Sequence, residues 1–397
     1  MADIKSFFEG RESFDDWANR FTEPYNATLI NTDNNILNKP EEKEEIKIPN
    51  PRDVKSFLDQ YVIGQEEAKR VLSVAVHNHY VRIARSNKEN DVEIEKSNVL
   101  LIGKSGSGKT LLAQTIAKYL DVPFVSVDIT SFTPSGIVGK DVESIGKMLI
   151  DKADGNVERA EHGIVYIDEI DKISSNSTGN VTSGVKGVLG GETQAALLKV
   201  LEGTELEEHS NGGSWFGSYS TSKLNTKNVL FICGGAFAGI DFDYERKQEF
   251  TKTIGFGSCG IQTIENEFKE VTSDDLIKYG MMPELLGRLP VMVQLHPLTR
   301  NDLVKILIEP KNSLLRQYKT LLEEEGIAVD FTEDALYSIA DIAIKRKLGA
   351  RGLRGVVDKV MTNVIFEIPD DVFTRKCIIT KECVENNIIP EFEKTII

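Results

Sequence analysis

Cysteine is scarce in this chain: 4 among 397 residues, at Cys233, Cys259, Cys377 and Cys383, with no C-x-x-C pair and no histidine beside the two nearest neighbours. Thiols so sparse and scattered exclude a disulfide framework and a structural zinc site, and they point to a reducing compartment. Histidine is almost as rare, with 5 in all. His77 and His79 fall in an early helical stretch and His162 just before an apolar run. None has ligand spacing with other donors, so no metal is expected beyond one carried by a nucleotide. Long apolar runs are missing too. No segment approaches the ~20 residues that a bilayer-spanning helix needs. The opening Met1-Ala2-Asp3-Ile4-Lys5 carries no secretory pattern, so the expectation is a soluble cytoplasmic protein with no membrane partner. Positive charge is in deficit: 47 Lys and Arg face 62 Asp and Glu, a formal net charge of -15. Such a surface is ill suited to neutralising a phosphate backbone, and nucleic acid is not an expected partner.

The 397 residues accommodate two or three domains. Residues 1–46 mix charged, polar and aromatic side chains (Phe7, Phe8, Phe14, Trp17, Phe21) without a sustained period, and end in Lys39-Pro40-Glu41-Glu42-Lys43-Glu44-Glu45. Residues 1–50 therefore read as an appendage and linker, a candidate docking element. Helical periodicity follows over 52–58 and 65–84, interrupted by Tyr61-Val62-Ile63-Gly64. Strand and helix signals then alternate: Val99–Ile102, helix 109–120, Phe124–Asp128, helix 140–153, Ile164–Asp168, helix 192–202 and strand 229–233. That alternation predicts an α/β domain over 51–297, a parallel sheet with helices on both faces. Past Pro297 the strand signal thins. Amphipathic stretches at 300–308, 312–325, 332–347 and 350–366, closed by a short β signal at 377–379, predict a smaller, mostly helical lid domain over 298–397.

The α/β region opens with the strongest signal in the chain. Gly103-Lys104-Ser105-Gly106-Ser107-Gly108-Lys109-Thr110 satisfies G-x-x-x-x-G-K-[ST] at every fixed position and follows directly on Val99–Ile102. Glycines let such a backbone wrap a phosphate with its N–H groups, Lys109 reaches the β and γ oxygens, and the Thr110 hydroxyl ligates Mg²⁺. The helix continuing through Leu111 adds its positive dipole end, so ATP with Mg²⁺ is the implied ligand. Further on, Ile164-Val165-Tyr166-Ile167-Asp168-Glu169 is an apolar run ending in two acids. A buried strand delivers both to the ligand-binding edge of an open α/β sheet: Asp168 to hold Mg²⁺ with Thr110, Glu169 to polarise the attacking water. Phosphoryl transfer also needs a preorganised cation at the γ-phosphate. Arg288, in Gly287-Arg288-Leu289-Pro290, and Arg351, in Gly349-Ala350-Arg351-Gly352, stand in informative settings, although composition alone does not choose them.

These motifs, in this order, resemble the ClpX family of AAA+ unfoldases, which feed proteins to the ClpP peptidase. The likeness runs from about Pro49 to about Pro390. It rests on Tyr61-Val62-Ile63-Gly64-Gln65, the phosphate loop, residues 163–173, Gln194-Ala195-Ala196-Leu197-Leu198-Lys199, Phe231-Ile232-Cys233-Gly234-Gly235-Ala236-Phe237 and the two arginine motifs. The resemblance implies an AAA+ P-loop NTPase fold with a lid, in which Val62 and Ile63 line the adenine pocket. It implies that Arg288 is a finger reaching into a neighbouring subunit's site and that Arg351 is a sensor on the chain's own nucleotide. A homohexamer with ATP at each junction follows, and hydrolysis would turn a hinge near 297–300. The resemblance further implies that Gly136, Ile137, Val138 and Gly139 form a pore loop gripping unfolded or tagged protein substrates. Ile254, Gly255 and Phe256 match the loop that docks on a ClpP-type peptidase, an aliphatic and an aromatic anchor on a flexible tether. No serine-protease signature is evident, so cleavage is expected to belong to that partner.

The chain also departs from the pattern. Ile137 stands where the family has a pore tyrosine, giving apolar area without the flat aromatic face. Residues 209–219, with Trp215, Phe216 and Tyr219, stand where the family has a basic entrance loop; without those cations the mouth is expected to prefer apolar or aromatic degrons over acidic ones. Residues 174–191, rich in Gly, Ser and Thr, are expected to be a flexible second pore loop. No cysteine precedes Cys233, so the family's N-terminal zinc module is not expected. The polar residue that strand 228–233 should offer to the γ-phosphate is left open. Alternatives remain: a peptidase-independent AAA+ chaperone remodelling complexes, a nucleic-acid motor that the acidic balance opposes, and an inactive scaffold that intact Lys109, Asp168, Glu169, Arg288 and Arg351 oppose.

Overall fold

The computed structural model describes residues 47–86, 92, 94–132, 142–174, 183–209, 221–240, 270–346, 348–367, 374–390 and 392–394, and residues 46–397 form one compact unit. The appendage 1–46, the pore-loop residues Gly136, Ile137, Val138 and Gly139, the aromatic stretch around Trp215, and Ile254, Gly255 and Phe256 lie outside the described residues.

Two helices open the unit, α1 (Pro51–Asp59) and α2 (Glu66–Ser86). Pro51 takes the first turn of α1, where a missing N–H costs nothing, and the Asn50 side chain caps it by accepting from the Arg52 N–H at 3.0 Å. The chain then runs β1 (Val99–Ile102), α3 (Lys109–Leu120), β2 (Phe124–Asp128), α4 (Ile145–Lys152), α5 (Val157–Glu161), β3 (Ile164–Asp168), α6 (Ser183–Glu202), β4 (Glu205–His209), β5 (Thr221–Asn225), β6 (Leu230–Gly235), α7 (Ser273–Tyr279), α8 (Pro283–Gly287) and β7 (Val291–Gln294). Strands β2-β3-β6-β1-β7 form one parallel sheet in that order, and β4 and β5 pair as an antiparallel ribbon.

Alternation of side chains sends each central strand into two cores. Leu100, Ile102, Val165, Ile167, Phe231 and Cys233 pack on one face, and Val99, Leu101, Ile164, Tyr166, Leu230 and Ile232 on the other. A parallel sheet covered on both sides needs continuous apolar runs, which is why these strands were visible in the sequence. Past β7 a separate apolar cluster gathers α9 (Arg300–Ile308), α10 (Leu314–Glu323), β8 (Ala328–Phe331), α11 (Glu333–Lys345), α12 (Ala350–Phe366), β9 (Thr374–Ile379) and α13 (Lys381–Asn386). With β10 (Phe392–Lys394) the strands form a second sheet, order β10-β9-β8.

Several elements differ from the sequence expectation, among them β4, β5 and β7, where no strand was expected. Helix α4 starts at Ile145 rather than at 140, after a 3₁₀ turn at Val142–Ser144. Helix α6 begins at Ser183, so the second half of the glycine-rich stretch read as a flexible loop is helical. Gly190 lets that helix close on the preceding turn: a Cβ there would lie 2.7 Å from the Ile173 carbonyl oxygen. The last region carries a three-stranded sheet where one strand was expected, because β8 and β10 are too short to show a period.

One buried histidine sets a pH dependence. His79 is 2% exposed, and its Nε2 lies 3.0 Å from the Asn228 carbonyl oxygen. Burial, then the nearby Arg82 and Lys96 charges, hold its pKa down to about 3. The unfolded chain takes up this proton near pH 6.5 and the folded chain refuses it down to about 3. Stability therefore falls as pH drops through that window, by at most about 1.4 kcal/mol per pH unit for one proton. His79→Gln, which keeps a donor for Asn228, should flatten that limb relative to the wild type in a urea-unfolding series. An unchanged difference across the window would refute it.

Candidate functional site

Strand β1 is buried along its whole length and ends at the phosphate loop. Gly106 and Gly108 have φ of +78° and +105°, in the left-handed region that glycine tolerates. No side chain caps the N-terminus of α3, so the first N–H groups of that helix stay available to an anion. The Ser107 hydroxyl is buried with no hydrogen-bond partner. An orphaned donor, uncapped helical amides and a glycine-built turn fit a phosphate chain. Lys109 is buried and donates from Nζ to the carbonyls of Gly103 at 2.6 Å and Lys104 at 3.3 Å. Burial lowers its pKa, against the pull of Asp168 and Asp171. Lys104, Ser105 and Leu111 are exposed at the mouth of the loop.

Strand β3 brings its acids to this edge. Asp168 is the focus: the Thr110 hydroxyl lies 3.4 Å from Oδ2, while the Tyr166 hydroxyl at 3.1 Å and the Glu169 N–H at 3.0 Å both donate to Oδ1. Glu169 is exposed and sits at φ +58°. Left-handed backbone at a non-glycine residue is strained and concentrates at functional sites. Thr110 and Asp168 together supply hard oxygen donors of the kind Mg²⁺ prefers. Asp171, 1% exposed, accepts from the Ala236 N–H at 3.0 Å and so ties β3 to the end of β6.

The lid reaches this same edge. The Ala350 N–H donates to the Gly106 carbonyl at 3.3 Å. A Cβ on Gly106 would lie 2.5 Å from the Leu348 carbonyl oxygen, and one on Gly349 would lie 2.9 Å from that of Ser105. Arg351, at the start of α12, places Nη2 3.8 Å from Asp168 Oδ2 and Nη1 3.5 Å from the Ser105 hydroxyl. The structure thus brings Lys109, Thr110, Asp168 and Arg351 together, with Glu169 adjoining them.

Arg288 stands apart. It pairs with Glu202 at the end of α6, Nε and Nη2 lying 3.0 and 2.9 Å from Oε1. Its carbonyl accepts from Asn98 Nδ2 at 3.0 Å. Asn98 precedes β1 and the phosphate loop follows β1, so about 15 Å of extended strand separates the two ends. Val62 is 4% exposed within the core under α1 and α2, and Ile63 beside it is half-buried.

Sequence reasoning missed Tyr166, Asn98, Glu202 and Gln65 as individuals. Tyr166 looked like one more apolar strand residue, yet its hydroxyl orients Asp168, and burial holds that hydroxyl neutral by pushing its pKa far up. Gly234 on β6 makes the room: a Cβ there would lie 2.2 Å from the Tyr166 hydroxyl oxygen. Gly234→Ala should therefore displace Tyr166, destabilise the fold by about 1–3 kcal/mol as overpacking does, and weaken nucleotide binding. Native melting and affinity in a thermal-shift titration would contradict this. No polar side chain of β6 takes the place left open in the sequence, since its residues Leu230, Phe231, Ile232, Cys233, Gly234 and Gly235 offer only a buried thiol.

Among the described residues no group of three or more His, Cys, Asp and Glu could hold a metal, and no described helix is long and apolar enough to cross a membrane.

A family model described as an AAA domain (Cdc48 subfamily) matches residues 94–292, and one for the C-terminal, D2-small domain of ClpB protein matches 298–370. An ATP-dependent Clp protease ATP-binding subunit ClpX from Treponema denticola is 47% identical over 344 residues, covering 86% of this chain and 82% of that protein. A protein of the same description from Bacteroides thetaiotaomicron is 47% identical over 328 residues, covering 82% and 78%.

Proposed function

We propose, since this chain belongs to the ClpX family of AAA ATPases, that it spends ATP hydrolysis on unfolding proteins and threading them into a ClpP-type peptidase. The observation that carries the ATP half is the convergence on Asp168 of Thr110, Tyr166 and Arg351 beside the phosphate loop. Gly103, Lys104, Ser105, Gly106, Ser107, Gly108, Lys109, Thr110 and Leu111 cradle the phosphates, with Val62 and Ile63 against the adenine. Thr110 and Asp168 would hold Mg²⁺, which when bound supplies charge stabilisation for the phosphoryl oxygens. Glu169 orients and polarises the water. Lys109, once a nucleotide displaces its contacts to the Gly103 and Lys104 carbonyls, carries its charge to the β and γ oxygens.

Arg351 ties the lid to the nucleotide, so loss of the γ-phosphate changes what holds the small domain (298–397) on the large one (51–297). Relative motion of the two is then the power stroke. Arg288, at the far end of β1 from its own phosphate loop, serves a neighbour's site, which requires an oligomer; from the family likeness we assign a homohexamer. Gly136, Ile137, Val138 and Gly139 grip the polypeptide in the pore. Ile254, Gly255 and Phe256 dock the peptidase. A cytoplasmic location follows from the intracellular character of such machines and the few, scattered thiols.

The test separates the two halves. Purified protein with MgATP should release phosphate, faster with an unstructured protein present, and should degrade a tagged protein when a ClpP-type peptidase is added. Deleting Ile254, Gly255 and Phe256 should abolish degradation and leave hydrolysis within about twofold, because docking and chemistry use different residues. Hydrolysis with no degradation by the full chain would leave a peptidase-independent remodelling chaperone as the correct reading, and equal degradation with and without the tripeptide would remove Ile254, Gly255 and Phe256 from docking.

A further inference from the structure

The turn between α1 and α2 does more than border a base pocket. Gly64 and Gln65 both have left-handed backbone, φ +64° and +57°, so this corner holds a glutamine where glycine or asparagine is the usual occupant. The strain places the Gln65 side chain, 7% exposed, against a residue far along the chain. Its Nε2 donates to the His296 carbonyl at 2.7 Å and its Oε1 accepts from the His296 N–H at 2.9 Å. One carboxamide thus takes both backbone groups of the residue that precedes Pro297. Beyond that proline Thr299 caps α9, so His296 lies on the large-domain side of the hinge assigned near 297–300.

The same corner touches the other side. The Lys311 N–H donates to the Gln60 carbonyl at 2.8 Å, and Lys311 Nζ to Gln60 Oε1 at 3.1 Å. Lys311 lies between α9 and α10, past the hinge. The corner is itself held stiff: Lys69, 2% exposed, lies 2.7 Å from Asp59 at the end of α1 and 3.2 Å from Glu66 at the start of α2. The phosphate loop adjoins as well, since a Cβ on Gly103 would lie 3.0 Å from Leu295 Cβ. A rigid turn therefore spans the hinge, gripping His296 by a buried carboxamide and Lys311 by a surface contact.

We propose that Gln65 is a positioning residue whose carboxamide passes occupancy of the base site at Val62 and Ile63 to the hinge near 297–300. The inference rests on the nucleotide-binding reading above and adds the route by which a bound base alters domain orientation. A nucleotide seated on the turn holds the corner still; through Gln65 it also holds His296, so the hinge opens less often while the site is filled. Without the carboxamide the phosphate loop still binds, but the hinge no longer feels it.

Hydrogen exchange on the full chain, with and without MgADP, tests this. In the wild type MgADP should slow exchange both in the phosphate loop, 103–110, and across the hinge, 293–301, the latter by about tenfold, the size set by one or two net hydrogen bonds. Gln65→Met keeps the length and packing of the side chain without its polar atoms. It should retain slowing at 103–110 and lose it at 293–301, to less than twofold. A structural loss alone would speed exchange at the hinge equally with and without nucleotide and blunt the phosphate-loop response too, which overturns the proposal. Full nucleotide-dependent slowing at 293–301 in the variant overturns it as well. Should Gln65→Met fail to fold, Gln65→Glu keeps the acceptor for the His296 N–H, and less than half the wild-type hinge response supports the proposal while a full response overturns it. No slowing at 103–110 in the wild type would overturn the nucleotide reading itself, a result distinct from loss at the hinge alone.

Discussion

Glu169→Gln should lower ATP hydrolysis by about 10²–10⁴-fold, the usual contribution of a positioned general base, while leaving ATP bound. The side chain keeps its length and shape but loses the charge that draws a proton from water. Glu169 is well placed for that loss to be clean. It is exposed, it sits on left-handed backbone, and its own N–H is already committed to Asp168 Oδ1 at 3.0 Å. Neither the fold nor the Asp168 cluster depends on its carboxylate. Stalled with ATP in place, the variant should also hold protein targets and the peptidase together in a pull-down. Phosphate release within a few-fold of wild type would remove Glu169 from the chemistry.

Arg288→Ala should have the second large effect, a loss of about 10³–10⁵-fold in turnover as for other arginine fingers, with nucleotide affinity little changed. The pair that now holds Arg288 does not obstruct this. Arg288 and Glu202 are 52% and 42% exposed at their side chains, and an ion pair so open to solvent contributes at most about 1 kcal/mol. A phosphate on a neighbouring subunit can therefore take the guanidinium from Glu202 at little cost. Complementation distinguishes a finger from a structural arginine. Mixing Arg288→Ala chains with Lys109→Ala chains, each inactive alone, should restore hydrolysis, because some junctions then combine an intact lysine with an intact arginine from next door. A mixture as inactive as its parents would show that Arg288 does not act between subunits.

Legibility followed burial and chemistry. Four of the five strands of the large sheet were readable, most plainly where both faces are covered and the run is apolar, as at Val99–Ile102 and 164–167; β7, only half-buried along most of its length, carries no such run. The phosphate loop was readable because few residue types can wrap a phosphate. Helix α6 was misjudged at its start because glycine there reads as flexibility, whereas Gly190 serves a close approach to Ile173. β8 and β10 escaped because strands of 4 and 3 residues carry no countable period.

Composition and motif order settled the charge balance, the α/β class and the family. Distance was beyond them. Only the folded chain placed Arg351 3.8 Å from Asp168 while sending Arg288 to Glu202, raised the Tyr166 hydroxyl over Gly234, and fastened Gln65 to His296 across 231 positions of sequence. The reason is physical. A motif records which groups a reaction requires along one dimension. Which arginine faces which acid depends on the packing of helices and strands that bring remote segments within a few ångströms, and no local spacing encodes that.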